Sequence, residues 1–140
     1  MQIFIPHSDY EESGWSLYPG HPGHLGNQFY REGKTIIKGG WKNHPASKMW
    51  WGYRYSLCEY LKILYHILRE RGINDYIVHY NEICEMQKQF VNAGKPPFIG
   101  NEAFHDSHKS NLIRKDREKG WNWYQQFNWQ VPDDLPYIWG

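Results

Sequence analysis

The residue in this sequence with the most chemistry in it is Glu32, a carboxylate on the apolar side of a helix. Leu25, Phe29, Glu32 and Ile36 fall at i, i+4, i+7 and i+11, the repeat of a helix face turned toward a core. Burial there raises a carboxyl pKa toward the range that suits general acid–base work, unless a cation such as Arg31, Arg54 or Arg114 holds it ionised. A boundary carboxylate reaching water past the stripe is the plainer alternative. A second constellation is His105 and His108, at i, i+3 on one helix. With Asp106, His24 or His44 as a third ligand they would make a metal-dependent hydrolase. The spacing lacks the two-histidine, intervening-glutamate pattern of zinc hydrolases, and hydrogen-bonding helix histidines are the default. Ser13-Gly14-Trp15 matches no nucleophile elbow, and the glycines lack phosphate-cradling spacing. Trp50-Trp51 and Trp121-Asn122-Trp123-Tyr124 supply either core or faces for stacking bases.

Four helices must position these groups. The first runs from about His24 to Lys38, ahead of Gly39-Gly40. The clearest spans Pro45 to Arg71, where Met49, Tyr53, Leu57, Tyr60, Leu61, Leu64 and Leu68 recur at three- and four-residue steps, with Pro45 suited to a first turn and Gly72 to a stop. Asn74 or Asp75 caps another that reaches about Asn92, with Ile77, Tyr80 and Cys84 on its packed face and Gly94 as terminator. Asn101 caps the last, through Lys119 to Gly120. Residues 13–23, rich in glycine and proline, read as a loop. The expectation is a mostly α, compact single-domain fold over residues 1–140, with residues 121–140 packed on it as an extended aromatic arm.

At 140 residues, 18% aromatic and 22% charged with a net charge of +1, the chain fits neither a disordered tail nor a uniformly basic protein. The charge is uneven. Residues 24–58 carry six basic side chains against Glu32 alone, and residues 91–120 carry six against four. Two such segments meeting in space would bind a polyanion. Cys58 and Cys84 are too few for a disulfide scaffold, which suggests a reduced, cytoplasmic setting. Met1 to Pro6 reads as neither signal peptide nor anchor, and no apolar stretch is long enough to cross a bilayer. A monomer without a membrane partner is expected.

Several stretches together resemble one family. His24-Leu25-Gly26-Asn27-Gln28-Phe29-Tyr30-Arg31-Glu32, His44-Pro45-Ala46-Ser47-Lys48-Met49-Trp50 with the long helix after it, and Ile99-Gly100-Asn101-Glu102-Ala103 are similar to the pyrimidine-dimer DNA glycosylases, the phage endonuclease V-like repair enzymes. Trp41 to Ala46, Arg114-Lys115-Asp116 and Val131 to Trp139 resemble a bacterial and phage subgroup. The resemblance implies a DNA glycosylase, with or without abasic-site lyase activity, that acts on duplex DNA carrying a damaged or modified pyrimidine and uses no metal or cofactor. An N-terminal amine would attack sugar C1′. An α-amine titrates near ~8, so part of it is the neutral nucleophile at cellular pH. The bulk of Gln2 would leave this amine on Met1. A carboxylate would stabilise the cationic sugar and carry protons, a role for Glu32. The His24 to Glu32 stretch is one residue longer than in the phage enzyme, which leaves Arg31 as the alternative at that catalytic position. His24, Lys34, His44, Lys48, Arg54, His108 and Lys109 would line or clamp the DNA, as would Asn111 or Arg114 where the family carries an arginine. A non-catalytic nucleic-acid-binding protein on the same fold is the alternative from another class.

Overall fold

The computed structural model describes residues 2–18 and 22–140, and among these it is helical, with no strand. The mostly α expectation holds. The loop expected at 13–23 is helical at 13–16 and again from residue 22, is non-helical at 17–18, and at 19–21 lies outside the described residues. Helix α1 occupies Tyr10–Ser16, started by the Asp9 side chain, which accepts from the backbone N–H groups of Glu11 and Glu12. Gly14 is not a breaker there. A Cβ on it would stand 2.7 Å from Ile67 Cδ1, so the missing side chain lets α1 lie close against its neighbour.

The next helix is continuous but changes pitch. α2 (Pro22–Gly26) passes into π-helical turns over Asn27–Gly33 and returns to α geometry in α3 (Lys34–Ile37). Leu25, Phe29, Ile36 and Ile37 are buried as the spacing predicts. Gly33 sits where a Cβ would collide with Leu61 and approach the Gln28 carbonyl oxygen to 2.8 Å.

The helix expected from Pro45 to Arg71 is two helices. His44 caps α4 (Pro45–Trp50), with its Nδ1 accepting from Ala46 N–H. A 3-10 turn at Trp51–Tyr53 follows, and α5 (Arg54–Glu70) resumes. The interruption falls on Gly52, and Gly72 takes the positive φ that ends the helix, +85°. Burial of Leu57, Cys58, Tyr60, Leu61, Leu64, Tyr65, Ile67 and Leu68 gives α5 one broad apolar face, with His66, Arg69 and Glu70 exposed on the other. It packs on α1, α2, the π turns and α6 (Ile77–Gln87).

Helix α6 is shorter than expected and turns a different face inward. Ile83 and Gln87 are buried, whereas Ile77 is exposed and Tyr80 and Cys84 are only half-covered. Gln87 is a packing residue because its amide is fully used: Lys62 donates to Oε1, and Nε2 donates to the Tyr55 carbonyl. Helix α7 (Glu102–Lys119) follows the sequence closely. Asn101 Oδ1 accepts from Phe104 N–H, and Gly120 closes it in the left-handed region.

Residues 121–140, apart from a 3-10 turn at Tyr124–Phe127, are irregular and tied to α7. Asp116 accepts from the amides of Trp123 and Tyr124 at the near end. Farther along, Ser110 Oγ accepts from Leu135 N–H and Ser107 Oγ from Ile138 N–H. Two serines one turn apart thus act as a partner strand for the arm.

The segment at 2–5 is buried and extended, and no neighbouring strand satisfies its backbone. Side chains do so instead. Gln28 Nε2 donates to Gln2 O, Tyr137 Oη to Ile3 O, and Tyr60 Oη to Phe4 O, while Gln28 Oε1 accepts from Phe4 N–H. Ile5 is held at both ends, its N–H by His108 Nδ1 and its carbonyl by His105 Nδ1. Buried peptide groups need such partners, and these come from four separate regions of the chain.

Candidate active site

A cleft of about 280 Å³ opens where the segment at residues 2–4, the π turns, His44, α7 and the arm meet. Its walls are Gln2, Phe4, His24, Asn27, Gln28, Glu32, His44, Lys115 and Trp139. Glu32 is half-buried at its side. Gln28 Nε2 donates to Glu32 Oε2 at 2.7 Å and to the backbone carbonyl of Gln2 at 2.9 Å. Burial raises the Glu32 pKa, against the opposing pull of the Gln2 N–H, the Lys115 ammonium and the Gln28 amide. A carboxyl group in that balance is suited to trading protons with a bound substrate.

The π turns explain how Glu32 reaches the cleft. An i→i+5 turn accommodates one more residue than an α turn, and such turns are frequent at functional sites. With the helix so widened, His24, Gln28 and Glu32 all line the cleft. Arg31, the alternative at that position, is exposed and is not among the lining residues.

His24 contributes a ring flanked by Trp121, with its Nδ1 3.3 Å from Tyr124 Oη. His44 stands edge-on to Trp139, and burial lowers its pKa. Lys115 lies 5.7 Å from the centre of the Phe4 ring and supplies a cation to the cleft. Met1 lies outside the described residues.

Other residues expected at the DNA have intramolecular partners. Lys34 is buried and bonded to Glu82 and His79 on α6. Arg54 is sandwiched between the Trp51 and Phe90 rings, 4.1 and 4.4 Å from their centres. Asn111 and Arg114 bond to each other and to arm carbonyls at Asp133 and Leu135. Lys109 lies between Asp106 and the Trp129 ring. Lys48 is exposed and shares a separate hollow with Lys42 and Trp51.

His105 and His108 do share a face, but toward Ile5. Because His108 Nδ1 accepts from Ile5 N–H, its proton is on Nε2, which faces Ile138 O. His105 holds its proton on Nδ1, toward Ile5 O, while Nε2 accepts from Gly100 N–H. All four ring nitrogens are engaged, which leaves the metal-dependent hydrolase expectation without its ligands. Burial pushes the His108 pKa down to about 3.

Sequence reasoning placed Glu32, His24 and His44 but missed Gln2, Gln28 and Lys115 as lining groups. Lys115 carried a usable signal. It follows His108 at i+7 and Leu112 at i+3, and both of those are buried, so that helix side runs from core to cleft.

The helical fold thus sets a half-buried carboxylate and a lysine around one polar cleft. The chain belongs to the pyrimidine dimer DNA glycosylase family, whose model matches residues 1–81. No curated protein and no solved structure matches it. The matched part contains Gln2, His24, Gln28, Glu32 and His44, while Lys115 and Trp139 lie beyond it.

Proposed function

We propose that this protein excises a damaged or modified pyrimidine from DNA and then cuts the strand at the abasic site, with the amine of residue 1 as nucleophile and Glu32 as the proton carrier. The neutral amine attacks sugar C1′, the C1′–N bond to the base breaks, and the departing base takes a proton. Loss of a proton from nitrogen and opening of the sugar ring leave a Schiff base. Removal of a 2′ proton then expels the 3′ phosphate by β-elimination. Glu32 balances the positive charge that develops on the sugar and accepts or returns each proton in turn. Lys115 faces the phosphates, and His24, His44 and Trp139 bound the space for sugar and base.

The observation that carries this reading is the bridge inside the cleft in which Gln28 Nε2 donates both to Gln2 O at 2.9 Å and to Glu32 Oε2 at 2.7 Å. The proposed nucleophile belongs to the residue before Gln2, and Glu32, a carboxylate of raised pKa in the same cleft as Gln2, would be its base. The family description supports DNA as the substrate class.

Borohydride reduction during incubation with duplex DNA carrying a pyrimidine dimer or an abasic site tests it. A covalent protein–DNA adduct is expected, and Glu32→Gln should lower turnover by about 10²–10⁴-fold while leaving binding intact. DNA binding without adduct or product on any such substrate would favour the non-catalytic nucleic-acid-binding alternative.

A further inference from the structure

We propose that Gln28 is the positioning residue of this site, setting the backbone of residue 2 and the Glu32 carboxylate in register so that amine and carboxylate meet at one sugar carbon. The inference rests on the glycosylase reading above. Gln28 is only 2% exposed, and its side-chain amide is fully committed. Oε1 accepts from Phe4 N–H at 2.7 Å, which fixes which end of the amide is oxygen. Nε2 has two protons and two acceptors, Gln2 O at 2.9 Å and Glu32 Oε2 at 2.7 Å. A single planar group therefore spans the chain segment that leads to the nucleophile and the carboxylate that serves it.

No charged side chain could do the same. Glutamate at position 28 would still accept from Phe4 N–H but would turn oxygens toward Gln2 O and Glu32, where donors are needed. Lysine would donate but could not accept from Phe4. The geometry of the helix matters equally. Gln28 and Glu32 are four residues apart within the π turns, which bring both onto the cleft side while Arg31 between them faces water. Misplacement of a reacting group by 1 Å can cost ~10²-fold in rate, so a residue whose amide bonds only to the protein can still control the chemistry.

Gln28→Glu tests the proposal, because it is nearly isosteric and keeps the Phe4 bond. The borohydride-trapping rate on abasic DNA should fall ~10–100-fold, the affinity for DNA should change little, and the pH–rate inflection of Glu32 should move to higher pH. Carbon-detected NMR titration of the Glu32 carboxyl in free protein supplies a readout that needs no activity, and the same upward move is expected there. A Gln28→Glu protein that traps like the wild type, or whose Glu32 titration is unmoved, overturns the proposal. If the wild type itself traps nothing, the glycosylase reading fails, while the titration still decides whether Gln28 governs Glu32.

Discussion

Gln28 donates to Glu32 across one widened helical turn, 2.7 Å from Nε2 to Oε2, while burial of that carboxylate raises its pKa. The raised value means that the folded protein holds a proton which the unfolded chain releases. Stability tied to Glu32 is therefore greatest below the ordinary carboxyl range and falls as pH rises through the elevated value. Glu32→Gln keeps an oxygen for Gln28 and removes the charge. Urea unfolding should show the variant gaining on the wild type as pH rises from below the ordinary carboxyl range to above neutrality. An unchanged difference across that range would contradict the burial argument.

Lys115 is the cation of the cleft and lowers the Glu32 pKa. Replacement by Gln should weaken DNA binding, reduce the slope of log affinity against log salt by about 1, and shift the acid-side inflection of the rate upward. Arginine should preserve the slope. Binding measured at four or five salt concentrations decides it, and an unaltered slope would place Lys115 away from the phosphates.

His108 gives the fold an acid limit. Its folded pKa is about 3 against the ordinary histidine value of 6.5, so between those values the unfolded chain binds a proton that the folded chain refuses. The stabilisation is complete above about 6.5 and is lost as pH falls toward 3, by up to ~5 kcal/mol at ~1.36 kcal/mol per unit. His108→Gln should be less stable at pH 7.5 by ~1–3 kcal/mol yet lose less on acidification. Equal acid slopes in the two proteins would refute this.

Ser107 and Ser110 accept the arm amides of Ile138 and Leu135. The double alanine variant should lose ~1 kcal/mol per bond and expose residues 130–140 to limited proteolysis. Because Trp139 walls the cleft, turnover should fall as well. An arm that resists cleavage in the variant would show that its aromatic packing suffices.

Much of the helical frame was legible because caps and periodicity are local. Asn101 and Gly120 bracket α7 as read, and the stripe of Leu25, Phe29 and Ile36 is buried. Glu32 was legible for the same reason. What failed needed a partner distant in sequence. Gly14 reads as a breaker until Ile67 is seen against it. A pair at i, i+3 correctly puts His105 and His108 on one face, but nothing near them says that the face meets Ile5. The π turns were invisible because an α-period stripe and one surplus residue give nearly the same pattern, and Gln28 was missed because its partners are Phe4, Gln2 and Glu32 together.

The manner in which residues 2–5 are held also bears on how the molecule acquires its reactivity. Their peptide groups await side chains from positions 28, 60, 105, 108 and 137, so the segment has nothing to dock on until distant parts of the chain have assembled. Pairings of such long sequence separation form late. A nascent or partly collapsed chain would carry Gln2, Gln28 and Glu32 but not the cleft they share. The proposed chemistry on DNA would be switched on by completion of the native state.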